Sequence, residues 1–298
     1  INPFKEPSPV TIFYPEYIYR IEGEIRSEED LLVKFLAKWA QQTDLFIRDQ
    51  QIVPKPSLWR YMENTDKNYY EVVHENIMRD LRLANLRKTN KYLVASEVLT
   101  DTLAKQGYDT KFLPPMFTEK LGQLRKIGPV LDYCLVGHMG EGKNVDLVIE
   151  AFIELYKRGS EAQITFYGGT EERLEELRNR YDLPPTIHFK GIVNEVPYHL
   201  HQCYLSASYT ELFANACIEA LSQGLLALLS DVEIAHRFYA NQSNAINLFK
   251  SKSELIQKIE EMEQPDFYLS NEKNLALSSC YSLEKVAQIY RELLDRNF

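Results

Sequence analysis

The sequence has no apolar run approaching the ~20 residues that a helix needs to cross a bilayer, and no segment has the pattern of a signal peptide. It also has no excess of basic residues, since 34 lysines and arginines face 43 aspartates and glutamates, for a net charge of −9. Because phosphate backbones require a basic field, this balance argues against nucleic-acid binding, although a local basic pocket stays compatible with it. We expect a globular, cytoplasmic protein.

Cysteine is scarce, and its spacing does not suit a metal site. The four cysteines form no CxxC pair, so we expect free and mostly buried thiols in a reducing compartment. No Asp-x-Asp motif stands at the end of a predicted strand, and His199 and His201 are interpreted as surface or packing residues. The sequence therefore predicts neither a metal nor a cofactor.

Strand and helix signals alternate along the whole chain. With 298 residues, 45% of them hydrophobic, it is long enough for two domains of ordinary size. The alternation predicts parallel sheets with helices on their faces. Predicted strands of the first half lie at 11–21, 44–49, 69–75, 91–97 and 110–117. After a linker near 118–129, the strand at 130–137 opens five further strand–helix units, which make a complete doubly wound domain.

Ligands of doubly wound sheets collect at the carboxyl ends of the strands. Polar or glycine-rich segments follow five of the predicted strands, at 74–75, 137–143, 168–169, 191 and 210–215. These segments predict one cleft between two domains.

The loop VGHMGEGKNVD joins the first strand of the second domain to its helix. Gly137, Gly140 and Gly142 permit tight turning, and Lys143 arrives just before the helix, where its ammonium and free N–H groups could meet an anion. The loop is not a P-loop, because Asn144 stands where Ser or Thr is required. The alternative is a glycine-rich turn with a solvated lysine.

The segment TELFANACIEA contains two carboxylates on either side of a helix start. If Asn215 is the N-cap, Glu211 precedes the helix and Glu219 lies about one turn inside it. The N–H groups of residues 213–217 would then face an anion directly. Carboxylates on both sides of an anion site fit a nucleotide sugar, whose phosphates lie between hydroxyl-bearing rings. The alternative is a capping carboxylate and a solvated helix glutamate.

Taken together, these motifs resemble a known family. The segments VGHMGEGKNVDLVIEAFIEL, ITFYGG, IHFKGIV and SYTELFANACIEALSQG occur in the order expected for the nucleotide-binding domain of group 1 glycosyltransferases. In the first half, EEDLLVKFLAKWAQQTDLFIRD and YYEVVHENI are similar to bacterial glycosyltransferases that modify serine-rich adhesins or wall teichoic acid.

The resemblance implies an α/β fold of the GT-B type, in which two Rossmann-like domains face a cleft. Residues 1–127 would be the N-terminal, acceptor-side domain, which we expect to be incomplete because its first strand–helix unit is missing. Residues 128–275 would bind the nucleotide sugar. Residues 276–298 would form a terminal helix that packs back toward the N-terminal domain.

The resemblance also assigns roles to residues. Lys143 would neutralise the donor diphosphate, Glu219 would bind the ribose hydroxyls, and Glu211 and His74 would approach the donor sugar from the two domains. The implied reaction is metal-independent and retains anomeric configuration. The predicted catalytic residues are His74, Glu211 and Lys143; the predicted donor-binding residues are Gly137, His138, Lys143, Phe213, Ala214, Asn215 and Glu219.

Two departures from the family pattern leave a second function open. His138 stands where the family usually has arginine, and it cannot supply a bidentate fork to a diphosphate. The usual EGFG is ELFA here, so that Leu212 and Ala214 could crowd the donor. One hypothesis is transfer of a sugar from a nucleotide donor, expected to be UDP-linked, to a protein or cell-envelope polymer. The other is a non-catalytic relative that binds acceptor or stabilises a catalytic glycosyltransferase partner. Either could associate peripherally with a membrane.

Overall fold

The computed structural model describes residues 45–49, 68–73, 88, 91–114, 121–231 and 234–295. The predicted strand at 11–21 lies outside these ranges, as does His74. Within the described ranges, no helix is long and apolar enough to span a membrane.

The first half of the chain forms a four-stranded sheet in which all neighbours are parallel, with the order β1-β2-β3-β4. Its strands are β1 (Leu45–Asp49), β2 (Asn68–Val73), β3 (Lys91–Val94) and β4 (Asp109–Phe112). Helix α1 (Glu97–Lys105) follows β3, and Ser96 caps it by accepting a hydrogen bond from the Leu99 N–H. The four strands confirm predictions from the sequence.

The second half forms a six-stranded parallel sheet with the order β11-β10-β9-β6-β7-β8. Its strands are β6 (Asp132–Val136), β7 (Gln163–Tyr167), β8 (Ile187–Gly191), β9 (Cys203–Ser206), β10 (Leu226–Ser230) and β11 (Ile246–Phe249). A separate antiparallel pair joins β5 (Lys126–Ile127), inside the predicted linker, to β12 (Leu269–Ser270).

Helices cover both faces of the six-stranded sheet, as the doubly wound prediction requires. The helices are α2 (Val145–Lys157), α3 (Glu171–Arg180), α4 (Asn215–Ser222), α5 (Ile234–Gln242), α6 (Lys252–Met262) and α7 (Glu272–Ser279), and a further helix, α8 (Leu283–Asp295), follows them. Apolar side chains of α2, α3 and α6 share one buried cluster, and those of α4, α5 and α7 share another. Cys134, Cys203 and Cys217 are buried free thiols, whereas Cys280 is exposed.

The order of the strands in the six-stranded sheet predicts where a ligand would bind. From β6, the chain proceeds outward to β7 and β8, then returns to β9 on the other side of β6 and proceeds to β10 and β11. The direction in which successive strands are added across the sheet therefore reverses between β6 and β9, although the two strands are parallel. In doubly wound sheets the crevice at such a switch point holds the ligand. The loops after β6 and β9 flank it.

Helix α8 returns to the first sheet. Its Ile289 packs against a buried cluster that consists of Tyr70, Val72, Leu93 and Leu113.

Candidate functional site

The loop after β6 folds around the side chain of Lys143. Gly137 has φ +149°, and a Cβ at this position would lie 3.2 Å from Lys143 Cε. The lysine side chain therefore passes over Gly137, which requires a residue without a side chain. A short 3₁₀ turn, Glu141–Lys143, leads to Asn144, and α2 begins at Val145.

The same loop rests on the turn between β7 and α3. Met139 is buried in the core, and its carbonyl accepts a hydrogen bond of 2.8 Å from Arg173 Nε. A Cβ at Gly168 would lie 2.2 Å from the Gly137 carbonyl oxygen. This close approach of two backbones fixes the loop against the sheet.

Lys143 forms an ion pair with Glu211, the first carboxylate of the TELFANACIEA segment. The same carboxylate oxygen accepts a hydrogen bond of 2.8 Å from Ser208 Oγ. The side chains of Lys143 and Glu211 are only 22% and 15% exposed. The alternative of a solvated lysine is therefore wrong, because the loop after β9 supplies a partner for it.

The loop after β9 is tied to its surroundings in two places. The Tyr209 N–H donates to the Gly142 carbonyl over 3.0 Å, which joins the two loops at the switch point directly. Ser230, at the end of β10, donates from Oγ to the Ser208 carbonyl over 2.7 Å. Glu211 is thus held on a braced loop.

His236 lies behind this brace, almost completely buried in the first turn of α5. Its Nδ1 is 2.9 Å from the Ser230 carbonyl, so it carries the proton and donates it there. Burial lowers the pKa of the imidazole, which keeps it neutral at physiological pH. Its Nε2 has no hydrogen-bond partner among the residues that the structure describes.

Glu219 is oriented by a residue that sequence reasoning did not single out. Tyr198, in a 3₁₀ turn after β8, donates from its hydroxyl to Glu219 Oε2 over 2.8 Å. Burial, followed by the nearby Glu219 charge, raises the pKa of Tyr198 far above its usual range, so the phenol stays protonated as a donor. The same hydroxyl lies 3.4 Å from the carbonyl of Ala216, in the first turn of α4. The hydrogen bond therefore keeps the Glu219 carboxylate close to the start of this helix.

The start of α4 differs from the prediction by one residue. The N-cap is Ala214, and Asn215 is the first helical residue, exposed to solvent. The Cys217 N–H donates to the Ala214 carbonyl over 2.9 Å. It therefore cannot face an anion as expected, and the candidate donors end at Ala216. Phe213 is buried, so only its backbone can serve a ligand.

Ala214 adopts a left-handed conformation with φ 57° and ψ 63°. This conformation costs an L-residue about 1–2 kcal/mol, a cost that glycine avoids. After subtraction of the larger chain entropy of unfolded glycine, Ala214→Gly should raise the free energy of unfolding by about 0.5–1 kcal/mol, as measured by urea denaturation. Ala216→Gly, in the right-handed first turn, is the control and should lower it by about 0.5–1 kcal/mol. Equal destabilisation by both variants would contradict the left-handed cap.

The structure brings together Lys143, Glu211 and Gly137, and it places Glu219 in α4, the helix that follows the Glu211 loop. His138 is exposed beside Gly140. His201 is buried between Asp132 and Tyr167, as a packing residue. In the described part of the chain, no three His, Cys, Asp or Glu side chains are grouped to hold a metal ion.

The missed supports are Tyr198, Ser208, Ser230 and Arg173. Ser208 and Ser230 could have been found from the sequence, since each lies near the end of a predicted strand. Nothing in the sequence marks Tyr198 or Arg173, because their partners are distant along the chain.

A family model for group 1 glycosyl transferases matches residues 118–275, which is more than half of the chain. Two curated relatives are each described as a UDP-N-acetylglucosamine–peptide N-acetylglucosaminyltransferase GtfA subunit. The one from Limosilactobacillus reuteri is 23% identical over 258 residues, covering 78% of this chain and 50% of the relative. The one from Streptococcus pneumoniae is 23% identical over 210 residues, covering 66% and 41%. The chain thus spans about half the length of these relatives.

Solved structures show the likeness of the fold. A GtfA/B complex superposes with a TM-score of 0.73 at 19% identity, covering 93% of this chain and 62% of that one. The pneumococcal O-GlcNAc transferase GtfA, solved with UDP and GlcNAc, gives a TM-score of 0.72 at 16% identity, covering 92% and 61%. These likenesses confirm the predicted fold class, GT-B with parallel α/β sheets.

Proposed function

Because the chain belongs to the group 1 glycosyl transferases, we propose that it transfers a sugar from a UDP-linked donor to a protein or cell-envelope polymer, with retention of anomeric configuration. One observation carries the proposal: a lysine–carboxylate pair, Lys143 with Glu211, lies at the switch point of a doubly wound sheet. A second carboxylate, Glu219, lies in the helix that follows the Glu211 loop and is oriented by Tyr198.

The ion pair is suited to exchange partners when a donor binds. A diphosphate next to Lys143 would take over its ammonium, and Glu211 would then be available to accept hydrogen bonds from sugar hydroxyls. Ser208 keeps the Glu211 carboxylate in place through this exchange, because it bonds the same oxygen. Glu219, held through one oxygen by Tyr198, has its other oxygen for the ribose hydroxyls.

In the transfer step, the bond between the anomeric carbon and the diphosphate oxygen breaks as a bond to the acceptor hydroxyl oxygen forms, and the proton of that hydroxyl passes to the leaving diphosphate. Negative charge then accumulates on the leaving diphosphate. The Lys143 ammonium and the N–H groups at the start of α4 are fixed donors for that charge, which lowers the barrier without a metal ion. His74 is proposed to approach the sugar from the N-terminal domain.

UDP as the nucleotide is supported by the names of the relatives and by the similar structure that holds UDP and GlcNAc. A partner subunit belongs to the proposal because another similar structure is a complex of two subunits. The cytoplasmic location remains a prediction that agrees with the free thiols.

Calorimetric titration with UDP, UDP-glucose and UDP-N-acetylglucosamine tests the proposal. We expect saturable UDP binding that is unchanged by excess EDTA, because lysine and N–H groups replace a metal. ADP is the matched control for the base and should bind more weakly. A folded protein without measurable affinity for any of these UDP compounds would refute the donor site.

A non-catalytic subunit is the second candidate, favoured by the exposed His138 in place of the family arginine. Such a subunit could bind UDP but would not consume the donor. Release of UDP from UDP-sugars, with and without acceptor peptide, separates the two functions. Binding without release would support the second.

A further inference from the structure

We propose that Leu212 is a positioning residue that fixes the donor loop, with Glu211, to the N-terminal sheet. Its side chain is only 9% exposed, although it belongs to the loop after β9 in the C-terminal domain. It is buried in one cluster with residues that all come from the first half of the chain: Val73, Tyr92, Val94, Ala95, Leu99 and Leu103.

The cluster that buries Leu212 lies at the carboxyl ends of the N-terminal strands. Val73 is the last residue of β2, and Val94 and Ala95 are at the end of β3. Leu212 therefore reaches the carboxyl edge of the N-terminal sheet, the edge at which His74 follows β2 in the sequence. Leu212, the residue next to Glu211, thus connects the carboxyl edges of the N-terminal and C-terminal sheets, which the proposed reaction requires to be close to each other.

The next residue is anchored in the opposite direction. Phe213 belongs to the buried cluster of the C-terminal domain and meets the Tyr281 ring edge-on, with 5.0 Å between centroids. Its carbonyl accepts a hydrogen bond from the buried Tyr239 hydroxyl. The Phe213 ring also lies 6.4 Å, between centroids, from Phe112 of β4, so it packs where the two halves meet. Leu212 is buried by the N-terminal half and Phe213 mainly by the C-terminal half, and the loop is therefore held from both sides.

This arrangement corrects the expectation that Leu212 crowds the donor. Its side chain is buried among N-terminal residues, so it occupies the interface of the two halves instead. A smaller residue would leave that cluster incomplete. Leucine at this position therefore favours the arrangement in which Glu211 is presented to Lys143.

Leu212→Ala tests the anchor against Leu99→Ala, a buried leucine of the same cluster that lies in α1 and has no backbone link to Glu211. Both variants should lower the melting temperature of the full chain. Only Leu212→Ala should speed amide hydrogen exchange across residues 207–215 without ligand. A second measurement rests on the proposed function. Leu212→Ala should weaken UDP binding about fivefold or more, whereas the dissociation constant of Leu99→Ala should stay within about twofold of that of the original protein.

The two readouts separate failure of the anchor from failure of the donor site. If the original protein binds no UDP, the proposed function fails, and the exchange measurement alone still decides the anchor. Equal exchange rates across 207–215 in the two variants would overturn the proposal. Should Leu212→Ala not fold, Leu212→Val makes the same comparison with a smaller loss of volume, against Leu99→Val.

Discussion

Replacing Lys143 with alanine is expected to slow sugar transfer by about a hundredfold to a thousandfold, the loss seen when one fixed donor to a developing anion is removed. The ammonium is close to Glu211 at the switch point, where the diphosphate would lie. Without it, Glu211 would also repel the diphosphate. Initial rates of UDP release from the UDP-sugar chosen by titration measure the effect.

The fold should survive this replacement. The pair is partly exposed, and Glu211 keeps its bond from Ser208, so the free energy of unfolding should change by no more than about 1 kcal/mol. Lys252→Ala is the matched control, because Lys252 also forms an ion pair, with Glu150, away from the two switch-point loops. The Lys252→Ala protein should release UDP at an unchanged initial rate. A Lys143→Ala protein that fails to fold, or an equal rate loss in both variants, would make the lysine a structural residue.

Glu219→Ala is expected to weaken UDP binding by about 1–3 kcal/mol, a factor of roughly five to 150, because a charge-assisted hydrogen bond to the ribose is lost. Its carboxylate is oriented by the Tyr198 hydroxyl at 2.8 Å. Calorimetric titration at one fixed pH and salt concentration gives both dissociation constants.

Tyr198→Phe is the matched, milder variant for the Glu219→Ala experiment. It removes only the hydroxyl that orients Glu219 and keeps the carboxylate, so its loss of UDP affinity should be smaller than that of Glu219→Ala. Unchanged affinity in Glu219→Ala would place the ribose elsewhere. A larger loss in Tyr198→Phe than in Glu219→Ala would mean that the tyrosine, not the carboxylate, makes the main contact.

The sequence by itself determined the local structure and which segments of the chain form the candidate site. Ser96 caps α1 through a residue three positions away, and the apolar segment at 130–137 contains β6. Gly137 and Lys143 were assigned to one loop from their spacing alone. Such features depend on neighbours within a few residues, so the order of residues is sufficient to predict them.

Only the tertiary structure decided which side chains meet. Lys143 and Glu211 are 68 positions apart, and Tyr198 and Glu219 are 21 apart. The first pair forms because β9 returns to lie beside β6, an adjacency that no local pattern specifies. Leu212 is buried by residues of the other half for the same reason, since burial depends on how distant segments pack together.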